Sequence, residues 1–423
     1  MKNVKIIRCG LMIVVSLSFL PSFVLSIDKI STAKQSTSVG ADGTLSAEIK
    51  RQLFSNQLSL YFPNSVKRFY QNNNFNSPWI KPQSGAGSTW QAMMLIDCVL
   101  QYGLSHDDYH PKELVYDELH SIMEKPGTIA IKKQARFDIM LTDAMLNFIN
   151  NLHFGKFNPD YPARKVDNLE TGFQSGNTLT EALAAKSFIA AITNVQPKTI
   201  AYADMQYHMR QWTGLYTGDC YEIPESSIRK LAINMERLRW ANIDTGAYIQ
   251  VNIPSYTLSL VEPDSTYTFN VVVGKPLNAT PALQSQVRYF TTATRRKALV
   301  KKPVIRFGFP NVYSLSLYGT PEQLIKKQEL AITEGDIGIE YAENLAVLLL
   351  QYDHAGNRIP ALHKVMARNQ TLNFRLIKPV PIKITYLTCM IKEGNIIEYK
   401  DIYNLDNRLE MAFYNVSQEF TVR

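Results

Sequence analysis

The stretch Gly246-Ala-Tyr-Ile-Gln-Val-Asn-Ile-Pro-Ser-Tyr-Thr-Leu-Ser-Leu-Val261 marks the point where the chain changes its periodicity. β-branched and aromatic residues alternate with other side chains from Tyr248 to Ile253 and again from Tyr256 to Val261, which is typical of strands. Before this stretch, apolar residues recur at the spacing of helices. We therefore predict an α+β fold, with an all-α part up to residue 242 and a mostly β part from residue 246 to 423.

The part before this switch predicts a helical domain over residues 49–242. Its apolar residues recur every three or four positions in five clear segments, which are Trp90–Leu104, Leu114–Met123, Phe137–Leu152, Leu179–Ile192 and Ile228–Trp240. This spacing places the apolar residues of each segment on one helix face. The five faces together predict a helical core.

The part after the switch predicts further strands and two helices. Short β-branched and aromatic runs, separated by Pro, Gly and Asn, predict strands at Tyr267–Val273, Val304–Phe307, Ser314–Tyr318, Ile382–Ile391 and Ile396–Lys400. Helices are predicted at Tyr341–Tyr352 and Pro360–Asn369. The last two strands are expected to form a hairpin across Glu393-Gly394-Asn395.

The first residues predict export. Lys2, Lys5 and Arg8 precede an apolar run from Leu11 to Leu25. Such a pattern is typical of a secretory signal peptide over residues 1–26, which leaves no membrane span after cleavage, although an uncleaved anchor is the alternative. Residues 27–48 are rich in Ser, Thr, Gly and Lys and predict a flexible lead. The expected location is the periplasm or cell envelope.

Charge and cysteine content narrow the class of protein. The chain of 423 residues has a net charge of +8, which falls to +5 without residues 1–26. This mild excess suits an anionic envelope and does not require nucleic acid. The remaining cysteines are Cys98, Cys220 and Cys389; their number is odd, and pairing of Cys98 with Cys220 stays open. The histidines are scattered and no C-x-x-C occurs, so neither a metal site nor a cofactor is predicted.

Short motifs spread along the chain resemble the large, multidomain L,D-transpeptidases that cross-link peptidoglycan. In the helical part they are Phe69-Tyr70, Pro78-Trp79, Leu152-His-Phe-Gly-Lys-Phe-Asn-Pro159 and Asn234-Met-Glu-Arg-Leu-Arg-Trp240. In the β part they are Val251-Asn-Ile-Pro-Ser-Tyr256, Val273-Gly-Lys-Pro276, Thr280-Pro281, Tyr386-Leu-Thr388 and Asp401-Ile-Tyr-Asn404. Their order implies a helical scaffold domain followed by an L,D-transpeptidase-like β-domain.

The resemblance also implies a site at Thr333-Glu-Gly-Asp-Ile-Gly-Ile339. Active members of the family use a Cys thiolate, with a nearby His as base, to attack an amide of a stem peptide, because a thiolate is a good nucleophile near neutral pH. Alignment with the family pattern places Tyr318 on the His, Asp336 on the Cys and Gly338 on the Arg, while Gly335 matches. The residues of the catalytic machinery are therefore replaced.

The residues at the replaced positions can have a structural role or a ligand-binding role. Asp336 is expected to cap a helix that starts near Ile339, since carboxylates accept backbone N–H groups at helix starts; contact with a ligand is the alternative. Tyr318 either donates its hydroxyl to a ligand or fills the volume left by a shortened lid, because only about fifteen residues, 290–304, link two strands where active members carry a long insertion. Thr320 and Thr333 are further candidates for ligand contact.

A run of basic residues adds a candidate binding surface. Arg295, Arg296 and Lys297 lie between Arg288 and Arg306, with no acidic residue among them. Such a run is commonly a solvated face. The alternative is that it attracts the carboxylates of wall peptides or anionic headgroups.

Three functions are consistent with the sequence. The first is a non-catalytic envelope protein that binds peptidoglycan stem peptides or a wall-synthesis enzyme. The second is an active L,D-transpeptidase with an atypical site, and the third is a purely structural envelope protein. The joint replacement of Cys, His and Arg favours the first.

Overall fold

A computed structural model describes residues 42–55, 57–80, 87–125, 127–214, 225–240, 246–294, 303–325 and 330–414. The predicted signal peptide lies outside these residues. The helices of the N-terminal part are α1 Asp42–Phe54, α2 Pro63–Asn72, α3 Gly87–Asp97, α4 Tyr116–Glu124, α5 Ile131–His153, α6 Ala163–Asp167, α7 Ser175–Ala184, α8 Phe188–Thr193, α9 Ile200–Gly214 and α10 Ser226–Trp240. Among the helices of the described ranges, none combines the length and hydropathy that crossing a bilayer would require.

Helix α5 forms the centre of the helical part. Its residues from Phe137 to Leu152 are buried without interruption, which is possible because neighbouring helices pack around it. Helix α1 is one of these neighbours and begins at Asp42. The prediction of a flexible lead is therefore wrong for residues 42–48, where Leu45 and Ile49, one helical turn apart, are buried in the core.

The predicted helix Leu179–Ile192 is divided in the structure. Helix α7 ends at Ala184 and α8 begins at Phe188. Ser187 separates them and caps α8, since its hydroxyl accepts a hydrogen bond from Ala190 N. Both helices bury their apolar faces, as the spacing of their apolar residues predicts.

The C-terminal part is mostly β, which confirms the α+β class. Its strands are β1 Tyr248–Asn252, β2 Thr257–Val261, β3 Thr266–Gly274, β4 Leu283–Thr294, β5 Pro303–Gly308, β6 Leu317–Gly319, β7 Ala331–Thr333, β8 Ile337–Ile339, β9 Leu372–Thr385, β10 Cys389–Lys392 and β11 Asn395–Glu398. Its helices are α11 Glu322–Ile325, α12 Ala342–Tyr352, α13 Ile359–Ala367 and α14 Asp406–Tyr414.

Nine strands form one sheet in the order β2-β1-β9-β4-β5-β6-β8-β3-β7. Strand β3 also pairs with β2 through its first half, so the order of strands returns to its start. This closure leaves few unpaired strand edges. Apolar residues of the strands and of α12 form a second core.

The predicted strand Ile382–Ile391 is two strands, because the chain leaves the sheet after Thr385. Leu387 N donates to Asn252 Oδ1 at 2.7 Å and Thr388 N donates to Asn234 Oδ1 at 2.8 Å. These side-chain acceptors replace the sheet partners that a continuous strand would have. The predicted hairpin is confirmed, and Glu393 and Gly394 form its turn, both with positive φ.

Helix α10 joins the helical part to the β part. Besides the Asn234 contact, Arg237 Nη1 donates to Asp406 Oδ1 at 2.6 Å. Leu231 and Met235 of the same helix share a buried cluster with Leu387 and Cys389. The two parts thus both pack on this helix, within a single compact unit.

Candidate functional site

The positions that match the family's catalytic residues meet on two neighbouring strands. Strands β6 and β8 run parallel, and Tyr318 lies opposite Gly338 in their register. The chain places these two positions side by side because β8 follows directly after the Thr333–Asp336 turn. Residues Leu317 and Ile337 next to them are buried and anchor both strands in the core.

Asp336 does not cap a helix, so that prediction is wrong. Its carboxylate precedes β8, and its Oδ1 accepts a hydrogen bond from Ser316 N at 2.8 Å. The backbone carbonyl of Asp336 accepts from Thr333 Oγ1. The helix that follows, α12, begins only at Ala342, and its N-cap residue Tyr341 has a left-handed backbone. Asp336 therefore connects the starts of β6 and β8.

Gly335 is required by the backbone around it. Its φ is +104°, a conformation that residues with a Cβ rarely adopt. Its carbonyl accepts a hydrogen bond from Thr280 Oγ1 at 2.7 Å, and Thr280 Oγ1 in turn accepts from Gly274 N at 2.8 Å. The turn before Asp336 is thus fixed against the end of β3.

Gly338 has no room for a side chain. A Cβ at this position would lie 2.7 Å from Val272 Cγ2 and 2.9 Å from Thr320 Cβ. The arginine of the family pattern cannot be accommodated here without moving these neighbours. Thr320 Oγ1 is itself buried, and it has no hydrogen-bond partner among the described residues.

Neither a thiol nor an imidazole lies on β6 or β8. Cys389, the one cysteine of the β part, lies in β10 of the small second sheet and packs against α10. Burial raises the pKa of its thiol to about 12, so it remains protonated and unreactive near neutral pH. The histidines of this part are His354, which follows α12, and His363, which is 2.8 Å from Glu343 on a helical surface. Cys220 lies outside the described residues.

The basic run belongs to the connection between two paired strands. Strands β4 and β5 are antiparallel and stay paired up to Thr294 and Pro303, so that only residues 295–302 link them. Arg295, Arg296 and Lys297 belong to this link and lie outside the described residues. The shortened lid predicted from the sequence is consistent with this hairpin.

An open groove of about 670 Å³ lies beside these strands. We call it the basic groove and define it by Arg288, Tyr289, Arg306, Ser314 and Ser316. Both arginines are exposed, and among the described residues no Asp or Glu lines the groove. Arg306 pairs with Tyr318 in the register of β5 and β6, and Ser316 is the residue that binds Asp336. The groove is therefore adjacent to the positions aligned with the family's catalytic residues, although Tyr318 and Asp336 do not line it.

Tyr289 and Ser316 are residues of the groove that the sequence did not single out. The ring of Tyr289 covers Gly308 on the neighbouring strand and leaves no space for a Cβ there. An aromatic residue opposite a strand glycine is a known packing device, but the register that pairs them is not visible in the sequence.

The fold and site define an α+β protein with a helical N-terminal part and a β part whose site carries no thiol nucleophile among its described residues. Residues 64–209 match a family model described as Scaffold domain. A protein of Haemophilus influenzae described as "Putative L,D-transpeptidase" is 28% identical over 111 residues. These residues are 26% of this chain and 22% of the relative, so the chain spans less than a quarter of the protein it matches. Both findings support a family-level relationship to the L,D-transpeptidases.

Proposed function

We propose that this chain is an exported cell-envelope protein that binds peptidoglycan stem peptides without cross-linking them. The observation that carries the proposal is the backbone hydrogen bond accepted by the carboxylate of Asp336. This residue is aligned with the family's nucleophile. Its carboxylate accepts a backbone hydrogen bond from Ser316, and the neighbouring positions are Tyr318 and the tightly packed Gly338. Acyl transfer needs a nucleophile, a base and a stabiliser of negative charge, and these side chains supply none of the family's three.

The basic groove supports binding as the remaining activity. Stem peptides carry carboxylates, and Arg288 and Arg306 present two guanidinium groups on one open surface. Guanidinium groups bind carboxylates through paired hydrogen bonds. A peptide bound in the groove would lie near β6 and β8, the strands that carry the positions aligned with the family's catalytic residues.

The loss of catalysis is tested by intact-mass analysis after incubation with a carbapenem, which acylates active-site cysteines of the family. We expect no covalent adduct and no release of the terminal residue from tetrapeptide muropeptides. An adduct, or turnover at any pH between about 5 and 9, would contradict the proposal.

Binding is tested by calorimetry with soluble muropeptides. The double variant Arg288→Ala, Arg306→Ala is expected to bind about tenfold more weakly, which corresponds to about 1.4 kcal/mol. Arg368→Ala is the matched control, because Arg368 is an exposed arginine at the end of α13, outside the groove. Equal affinities of the double variant and the control would exclude the groove as the binding site.

A further inference from the structure

The helical part contains a second pocket, of about 190 Å³, lined mainly by asparagines and aromatic residues. We call it the asparagine pocket. Its polar side consists of Asn147, Asn150 and Asn151, which share one face of α5 because they are three and four positions apart. Its aromatic side includes Tyr61, Phe62, Phe154, Phe157 and Tyr161.

The side-chain amide of Asn150 differs from those of its neighbours in its hydrogen bonding. It is 2% exposed, and neither its Nδ2 nor its Oδ1 has a hydrogen-bond partner among the described residues. Its neighbours differ: Asn147 Nδ2 donates to Asp108 O at 2.7 Å and Asn151 Nδ2 donates to Tyr109 Oη at 3.0 Å. A buried amide with an unused donor and acceptor is unfavourable for stability unless something else binds it. Asn150 lines both the asparagine pocket and a smaller adjoining cavity.

The described residues that line the pocket carry no net charge. Lys156 and Asp108 are its charged residues, and they pair with each other at 2.7 Å. An anionic or cationic ligand would therefore gain no free countercharge from these side chains, and it would lose its own hydration. The pocket suits a neutral ligand.

The aromatic side indicates a ligand with an apolar face. The rings of Phe154 and Tyr161 lie 4.8 Å apart, and Tyr161 is 39% exposed at the mouth of the pocket. Tyr61 is exposed there to a similar extent. Half-exposed tyrosines offer a flat apolar surface with a polar edge, which suits the C–H face and the hydroxyls of a pyranose ring. The small volume fits one such group rather than a drug-sized molecule.

We propose that the asparagine pocket binds a neutral N-acetylated sugar. Its acetamido group enters the pocket and pairs with Asn150, while its pyranose ring packs on Tyr161 at the mouth. An acetamido group supplies both a carbonyl acceptor and an N–H donor, so it offers each kind of partner that the Asn150 amide lacks. The inference does not depend on the basic groove, which lies in the other part of the fold.

The test uses the full chain and ligand-observed NMR with three probes. N-acetylglucosamine carries the ring and the acetamido group, glucose carries the ring alone, and N-acetylalanine methylamide carries amides without a sugar ring. We expect binding of N-acetylglucosamine, with at least tenfold weaker binding of the other two. Equal binding of the peptide-like probe would overturn the assignment to a sugar, and no binding of N-acetylglucosamine at millimolar concentration would overturn the proposal.

Variants locate the binding and separate it from a structural role. Asn150→Leu is similar in volume and removes the unpaired amide, so it is expected to raise Tm and to weaken N-acetylglucosamine binding at least tenfold. A lowered Tm together with unchanged binding would mean that Asn150 serves the fold and would refute the proposal. Tyr161→Ala is expected to weaken binding, whereas Tyr207→Ala, at an exposed tyrosine of α9, is the control without effect. The Arg288→Ala, Arg306→Ala variant is expected to keep sugar binding, which distinguishes this site from the basic groove.

Discussion

Lys383 is a buried lysine whose replacement is expected to stabilise the protein. It lies near the C-terminal end of β9, between Gln250 of β1 and Gln284 of β4 in the register. Its side chain is fully buried, and Nζ has no hydrogen-bond partner among the described residues. The centroid of the Tyr248 ring lies 4.4 Å from Nζ, and this cation–π contact offsets part of the cost of burying the ammonium group. Burial lowers the pKa of Lys383 from 10.5 to about 8.

This shift gives the magnitude of the effect. A difference of about 2.5 pH units between the unfolded and folded pKa corresponds to roughly 3 kcal/mol, which opposes folding while the amine is protonated in both states. The unfolded chain binds more protons than the folded one between pH 8 and 10.5, so stability rises with pH across this window. Lys383→Met removes the cost and also the contact of the ammonium with Tyr248, which is worth about 1 kcal/mol. The net gain at pH 7 is expected to be about 2 kcal/mol.

The assay is urea unfolding followed by circular dichroism at several pH values from 6 to about 11. The variant should unfold at higher urea than the wild type at pH 7, and this difference should shrink as the pH rises through 8 towards 10.5. Lys400→Met, at an exposed lysine, is the control and should keep the pH dependence of the wild type. If Lys383→Met is not more stable at pH 7, or if its advantage does not change with pH, the buried-charge argument is refuted.

Two further substitutions test packing at α10 and β8. Glu236→Ala leaves the buried guanidinium of Arg239, 3.4 Å away, without its countercharge, and is expected to lower the free energy of unfolding by about 3–5 kcal/mol. Glu236→Gln keeps an acceptor oxygen and should lower it less. Equal losses of the two variants in urea unfolding would disprove this. Gly338→Ala forces a Cβ against Val272 and is expected to cost about 1–3 kcal/mol. Gly87→Ala, where a Cβ meets no described residue within 4 Å, is its control in thermal unfolding, and matching midpoints would show that β8 can move.

The α+β architecture was predictable because the two periodicities meet at one place, near Gly246. The turn at Glu393-Gly394 was predictable for a similar reason, since a glycine between two apolar runs is a local signal. Helix α1 was missed because its flanking residues are polar, and only Leu45, Ile49 and Leu53 pack on the core. Local composition does not reveal such a sparse contact surface.

At the candidate site, the sequence predicts positions but not the contacts between residues distant along the chain. The alignment of Tyr318 and Gly338 with the family pattern named the positions, and the register places them opposite each other. The partner of Asp336 was not predictable, because Ser316 is twenty residues away and meets it only through strand pairing. Asn150 gave no signal either, since its state depends on the absence of contacts with residues distant in sequence.

Helix α10 connects the wall of the asparagine pocket to the β part. Gly155, with φ +86°, lets the backbone approach Glu236, and Phe157 N donates to the same carboxylate at 2.7 Å. Both residues also line the asparagine pocket. Two residues before Glu236, Asn234 accepts a hydrogen bond from Thr388 at the edge of the β part. The wall of the pocket and the end of the sheet are therefore fixed to two residues of one buried helix, Glu236 and Asn234, so a shift of α10 has to be accommodated at both.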